Sequence, residues 1–460
     1  MKLGKDAFTP VRVLAAAMLL IGLAGPPVRA GAGEPARLIL APARALVDEP
    51  IAIRVLGLEP GEPVTLRASM RDPRGRAWVS RAELVADERG EVDPARLAPL
   101  DGTYAGIDPH GLLWSMALAD DTPEASRAPA MLVRRVAFEY TLEVAVEREG
   151  AEPLRGSAVR TFLGPGVVRE DVRTDGLVGD YFAPPGPGPH PAVIVVAGSD
   201  GGLRSARWRG ALLASRGIAA LSLAYFRADG LPDELIEVPL DYTLDAVSWL
   251  AARDDVGEVG IVGFSKGTEL ALLAAAEDPR LRAVVAVAPT AYSWQGLGNG
   301  APRASFTRDG EPVPFLRFAY TDDILAELER LPMRLSGMYR HSIDSADAST
   351  RELAALPIDR VRGAVLLISG DEDGSWPSSD MATELLERAL AAGAGPDVRH
   401  LRYPEAGHLI WGDLLPTTAS VTTEYQRFGG TPAANSRARA DSWPRTLAFL
   451  HAQLARAAGE

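Results

Sequence analysis

Between residues 38 and about 163 the chain alternates apolar and polar positions in short runs. The clearest are Ile51 to Leu56, Val64 to Met70, Val136 to Val146 and Gly156 to Phe162. Turn-forming clusters separate them: Glu59-Pro60-Gly61-Glu62-Pro63, Asp72-Pro73-Arg74-Gly75 and Glu149-Gly150. A period of two with one apolar face predicts half-buried strands, and turn signals roughly every ten residues predict an all-β, immunoglobulin-like sandwich.

From about residue 176 the period changes. Ala192 to Ala197 is apolar without interruption, a helical pattern follows near Trp208 to Arg216, and Ala219 to Leu223 is apolar again. A second helical pattern runs from about Leu240 to Arg253 and precedes Val259 to Val262. Unbroken apolar runs alternating with helical ones predict a parallel sheet covered on both faces, an α/β architecture. The change of pattern places a linker near Gly164-Pro165-Gly166, dividing a sandwich domain at 38–165 from an α/β domain at 166–460. Residues 294–357 are irregular, rich in Pro, Gly and charge, and are expected to form a cap insertion. No internal repeat is evident.

The run Val259 to Val262 empties into Gly263-Phe264-Ser265-Lys266-Gly267, and a helical pattern starts at Thr268. Strand, sharp turn and helix with serine at the apex is the nucleophile elbow of an α/β-hydrolase. A serine hydroxyl needs a base within hydrogen-bond reach and a carboxylate to orient that base. In this fold the acid and then the base follow the nucleophile along the chain. Gly363 to Gly370 reads as a buried strand ending in Asp371-Glu372-Asp373, so the acid is Asp373, with Asp371 as the competing choice. Val398 to Tyr403 reads as a further strand, followed by Pro404-Glu405-Ala406-Gly407-His408. Of six histidines only His408 follows a strand on a glycine turn. Ser265, Asp373 and His408 are therefore the candidate nucleophile, acid and base.

A tetrahedral intermediate also needs two donors aimed at its oxyanion. The backbone N–H of Lys266 is one candidate. The other is that of Ser199, or of neighbouring Asp200, in the Gly-rich loop after Val196. The Lys266 side chain has two open readings: a partner for a substrate anion, or an ion pair with Glu269. Arg204, Arg207 and Arg209 form a candidate basic patch after the same loop. No H-x-x-x-H or H-E-x-x-H spacing and no cysteine are present, so neither a metal nor another cofactor is expected.

Residues 1–30 carry a different pattern. Lys2, Lys5 and Arg12 precede an apolar stretch from Val13 to Leu23, and Val28-Arg29-Ala30 offers a small-x-small cleavage site. The stretch is too short to span a bilayer, so an export signal cleaved after Ala30 is expected, with no stable membrane insertion and a periplasmic or secreted product. Cleavage would remove Lys2, Lys5, Arg12 and Arg29 together with Asp6, taking the formal charge from −13 to −16. So acidic a chain argues against nucleic acid as a partner.

At these same residues the chain resembles a family. Gly263 to Leu270 looks like the nucleophile segment of the acyl-CoA thioesterase and bile acid-CoA:amino acid N-acyltransferase family. The Gly370 to Trp376 loop is similar to its acid loop, and Tyr403-Pro404 to His408 to its base loop. N-terminal segments extend the resemblance: Val64 to Ala68, Trp78 to Ala82, Gly90 to Asp93, Tyr104 to Pro109 and Gly111 to Met116. Gly429-Gly430-Thr431-Pro432 to Ser442-Trp443-Pro444 looks like bacterial members. The resemblance implies a β-sandwich before an α/β-hydrolase domain, and hydrolysis of acyl-CoA thioesters through an acyl-enzyme. It further implies that members transferring acyl groups to amino acids tend to use a cysteine nucleophile; serine at 265 favours water as acceptor. Carboxylic-ester hydrolysis and acyl transfer to an amine or alcohol are the alternatives. A non-enzymatic binding protein would not be expected to retain the whole Ser265, Asp373, His408 set.

Overall fold

The computed structural model describes residues 35–122, 131–393 and 395–455. The signal expected over residues 1–30 lies outside them.

The N-terminal part is built from strands β1 (Arg37–Ala41), β2 (Arg44–Leu46), β3 (Ala52–Leu56), β4 (Pro63–Arg71), β5 (Ala77–Val85), β6 (Asp101–Gly102), β7 (Ala117–Leu118), β8 (Tyr140–Arg148) and β9 (Ala151–Thr161). β1 and β3 pair antiparallel, and the others form a seven-stranded sheet in the order β2-β9-β8-β4-β5-β6, with β7 beside β5. The period-two pattern has its physical counterpart here. In β4, Val64, Leu66, Ala68 and Met70 are buried, while Arg67 between them is exposed and pairs with Glu147. In β5, Trp78, Ser80, Ala82 and Leu84 are buried in the same way. Alternation of this kind lets one face of an antiparallel sheet meet water.

The C-terminal part follows a different rule. Its eight-stranded sheet contains β10 (Val168–Val172), β11 (Gly179–Ala183), β12 (His190–Val196), β13 (Ala219–Leu223), then, past a two-residue β14 (Val238–Pro239), β15 (Val256–Phe264) and β16 (Leu281–Val287). Past β17 (Phe306–Arg308) and β18 (Glu311–Pro312) it is completed by β19 (Ala364–Gly370) and β20 (Val398–Tyr403). The order is β10-β11-β13-β12-β15-β16-β19-β20. The six strands from β13 to β20 are parallel, and β10 and β11 add an antiparallel edge. β13 and β19 are buried at every position because helices cover both faces. Val193 and Val195 pack with Leu212, Leu213, Phe449 and Leu450 on one side. Ala192, Ile194 and Val196 pack with Val247, Leu250 and Leu270 on the other.

Strand order reverses on either side of β12, since β13 lies to one side of it and β15 to the other. In open α/β sheets ligands bind at such a switch point, beyond the carboxyl ends of the strands. The loops after β12 and β15 carry Ser199 and Ser265.

The stretch 294–357 holds no strand of the main sheet. β14, β17 and β18 form a small separate sheet, and the short helices Asp322–Leu328, Ser336–Ser345 and Ala348–Ala354 follow. The N-terminal sheet shares one continuous apolar core with the helices Arg204–Ala214 and Pro432–Leu454. Polar ties reinforce it. Asp48 accepts from Arg216 at 2.7 Å and from the Trp443 indole at 2.6 Å, and Arg134 pairs with Asp413 at 2.7 Å. No helix among the described residues is long and apolar enough to cross a membrane.

Candidate active site

Ser265 adopts φ +52°, a left-handed conformation that a residue bearing a Cβ occupies only at an energetic cost. The surrounding structure holds it there. Its N–H donates to Val287 O at 2.9 Å, and its carbonyl accepts from the Thr268 N–H and hydroxyl at 2.8 and 2.7 Å. The glycines two residues before and after are needed for close approach. A Cβ on Gly263 would stand 2.5 Å from Gly267 O, and one on Gly267 would stand 2.3 Å from Ala197 O. The helix Gly267–Glu277 can therefore start directly against the loop after β12.

Ser265 Oγ lies 2.8 Å from His408 Nε2, and His408 Nδ1 lies 2.8 Å from Asp373 Oδ2. The second oxygen of Asp373 accepts from the backbone N–H groups of Ser375 and Trp376 at 2.8 and 3.2 Å. His408 and Asp373 are both buried. The imidazole packs among Phe264, Trp376 and Phe428, with ring centroids 5.4, 5.9 and 6.1 Å away. Asp371 points elsewhere: its carboxylate accepts from Arg402 Nε at 2.6 Å. Burial alone would raise the Asp371 carboxyl, but hydrogen bonds from Arg402 and Ser379, together with the Arg402 charge, outweigh it and hold the carboxyl below its usual range. Geometry thus separates the two acids that the sequence leaves in competition. Asp373→Asn is expected to lower kcat by about four orders of magnitude through loss of the imidazole's tautomer and orientation. Asp371→Asn should stay within about tenfold of the parent enzyme, because only a partly exposed ion pair is lost. Steady-state kinetics on both variants checks the assignment, and equal losses would reject it.

The remaining predicted positions fall around the same cavity, which encloses about 550 Å³ and is lined by Gly198, Ser199, Asp200, Ser265, Lys266 and His408. The Tyr225 hydroxyl pins the loop after β12 by donating to Ala197 O at 2.9 Å. The Lys266 side chain is committed within the protein. Its Nζ stands 2.7 Å from Glu269 Oε1, both groups are buried, and Glu269 Oε2 accepts from Trp294 N–H at 3.1 Å. Of the two readings left open for Lys266, the structure therefore contains the ion pair. Burial pushes the lysine down and the glutamate up, and each partner opposes the shift of the other.

The candidate basic patch is split, with Arg204 and Arg209 lining the cavity and Arg207 turned away from it. Arg207 pairs with Asp180 at the sheet edge, Arg204 is exposed, and Arg209 is buried under the cavity. Among the cavity residues that carry no local sequence signal are Arg134 from the loop before β8, Asp413, and Arg439 from the last helix. Residues 294–357 supply Leu297, Leu335 and Tyr339 to the lining. No cluster of three or more His, Asp or Glu side chains suited to a metal ion occurs among the described residues.

Residues 48–174 match the family described as acyl-CoA thioester hydrolase/BAAT N-terminal region, and residues 238–456 match the BAAT/acyl-CoA thioester hydrolase C terminal. Acyl-coenzyme A thioesterase 1 of Homo sapiens is 34% identical, with 91% of this chain and 97% of that protein covered. Acyl-coenzyme A thioesterase 2, mitochondrial, also of Homo sapiens, is 33% identical over 93% of this chain and 86% of its own. Acyl-coenzyme A amino acid N-acyltransferase 2 of Rattus norvegicus is 32% identical, with coverage of 92% and 99%.

Proposed function

We infer that this chain, which belongs to the acyl-CoA thioester hydrolase/BAAT family, is a serine hydrolase that cleaves acyl thioesters of the acyl-CoA type. The observation that carries the mechanism is the unbroken relay from Ser265 Oγ through His408 to Asp373, with 2.8 Å at each step. His408 Nε2 takes the serine proton as Oγ attacks the thioester carbonyl. Asp373 holds Nδ1–H toward itself and stabilises the imidazolium that forms. On this reading the oxyanion is received by the backbone N–H groups of Lys266 and Ser199, a role supported by both residues lining the cavity. Collapse of the intermediate breaks the C–S bond, the leaving thiolate takes the proton from His408, and Ser265 is left acylated. Water then repeats the sequence with His408 as base, releasing the carboxylate product. Serine rather than cysteine at 265 favours water over an amine as the acceptor.

The test is turnover of a panel of acyl-CoAs beside matched p-nitrophenyl esters, with Ser265→Ala as the blank. Acyl-CoA turnover well above that of the esters is expected. Turnover of esters alone would replace the thioesterase reading with an esterase.

The same reading extends to the chain's organisation. Residues 38–165 form an immunoglobulin-like sandwich, 166–460 form the catalytic α/β-hydrolase domain, and 294–357 form a cap that shapes acyl selectivity. Support for the cap comes from Leu297, Leu335 and Tyr339, which line the cavity. Residues 1–30 are a bacterial export signal cleaved after Ala30, supported by the charged start, short apolar stretch and small-residue site. Export would take the enzyme to a compartment poor in CoA, which is why the ester arm of the panel matters.

A further inference from the structure

Five arginines line the cavity, and three of them converge from different parts of the fold. Arg209 stands on the helix Arg204–Ala214, Arg439 on the helix Pro432–Leu454, and Arg134 on the loop before β8. Asp413 pairs with two of them, with Oδ2 2.7 Å from Arg134 Nε and Oδ1 3.2 Å from Arg439 Nη1. Arg209 is in no ion pair among the described residues. Its Nη1 donates to Ser205 O at 2.8 Å, and its Nε is buried with no hydrogen-bond partner among them. Asp200, the other nearby carboxylate, is exposed and accepts from the Ser205 hydroxyl. What Arg209 does have is aromatic faces: Trp208 at 4.3 Å, Phe264 at 4.5 Å and Trp411 at 5.8 Å.

A buried cation without a carboxylate is costly, and cation–π contacts offset only part of that cost. Burial pushes the Arg209 guanidinium down to about 9, with Asp200 acting against the shift. At neutral pH it remains charged. Phe264 contacts both it and the catalytic imidazole, lying 4.5 Å from the guanidinium and 5.4 Å from the His408 ring. The free donor is thus one aromatic ring away from the acylation site, inside the wall of the same cavity. A site built to hydrogen-bond a substrate anion strongly rejects an analogue that lacks it, because its buried donors are then left unpaired.

We propose that the acyl group accepted by Ser265 carries a carboxylate at its far end, and that Arg209, flanked by Arg134 and Arg439, receives it. The preferred substrate is then the monothioester of a dicarboxylic acid rather than of a plain fatty acid. This rests on the thioester-hydrolase reading and specifies its substrate class.

The experiment compares kcat/KM for CoA thioesters of dicarboxylic acids with those of monocarboxylic acids of equal chain length. A charge-assisted hydrogen bond predicts a preference of about tenfold to a hundredfold for the dicarboxylic series. Arg209→Gln should bring the ratio close to one, and Arg209→Lys should restore part of it. A purely structural Arg209 predicts equal losses on both series. Should Arg209→Gln fail to fold, the unaltered enzyme still decides: free dicarboxylates should inhibit at least about tenfold more tightly than monocarboxylates of equal length. The same acyl pairs on N-acetylcysteamine must keep the preference; if it survives only with CoA, the arginines read the thiol's phosphates and the proposal falls. Turnover of neutral thioesters with no preference overturns the proposal and leaves the hydrolase intact. Absence of all thioester turnover would instead reject the hydrolase reading, and inhibition of p-nitrophenyl ester turnover by dicarboxylates would then judge the subsite alone.

Discussion

Ser265→Ala should lower kcat by about a millionfold, to the residual rate that cavity binding and the proposed backbone donors would provide. The size follows from the relay acting as a unit. His408 holds its Nε2 2.8 Å from the Ser265 hydroxyl and is packed by three aromatic rings in a buried position. No other hydroxyl is hydrogen-bonded to that nitrogen among the described residues. The effects are therefore expected to be non-additive. His408→Ala alone should cost about as much, and the double variant should be no slower than either single one. Single-turnover kinetics on acyl-CoA, with folding checked by circular dichroism, makes the comparison. A Ser265→Ala enzyme that kept a hundredth of its activity would remove the serine from the chemistry.

The second large effect lies at the start of the adjacent helix and concerns stability. Glu269→Gln should destabilise the fold by about 3–5 kcal/mol, the range for removing one member of a buried ion pair. The Glu269→Gln side chain would keep an oxygen for Lys266 Nζ, and Trp294 O lies at 3.4 Å, but no negative charge would remain to offset the burial of the lysine. Replacing both partners with apolar residues of similar volume should be far milder than Glu269→Gln, since it leaves no uncompensated charge. Denaturant unfolding of the three proteins measures this. A Glu269→Gln protein within about 1 kcal/mol of the parent would show that Lys266 is not held by that pair.

Much of the site was legible because its parts are local. A strand, a Gly-bounded serine and a helix are contiguous from Val256 to Glu277, and steric need for the two glycines leaves a mark in the sequence. Asp373 and His408 each follow a strand, so their positions come from counting strands rather than from knowing contacts. The sequence favours Asp373 over Asp371, the third residue past the strand-ending Gly370 being the one that usually faces the histidine, but that the loop turns Asp371 to Arg402 is recorded only in the fold. The same holds for the arginines. Arg204, Arg207 and Arg209 read as one patch in sequence, but the helix leaves Arg204 exposed at the cavity, turns Arg207 to Asp180 and turns Arg209 into an aromatic pocket. Arg134 and Asp413 meet across most of the chain's length, and no local period records that. Residues 294–357 resist reading because their short helices and two-residue to three-residue strands are stabilised by packing against the main sheet's helices rather than by a period of their own.

The polar ties between the N-terminal sheet and the catalytic helices bear on how such a chain changes over generations. Asp48 serves Arg216 and Trp443 at once, and Arg134 neutralises Asp413 inside the catalytic cavity. Shedding the N-terminal half would cost Asp413 one of its two arginines and would take from Arg216 and Trp443 their shared acceptor. Loss of the N-terminal sheet is therefore expected to weaken the helices that wall the cavity rather than leave them untouched.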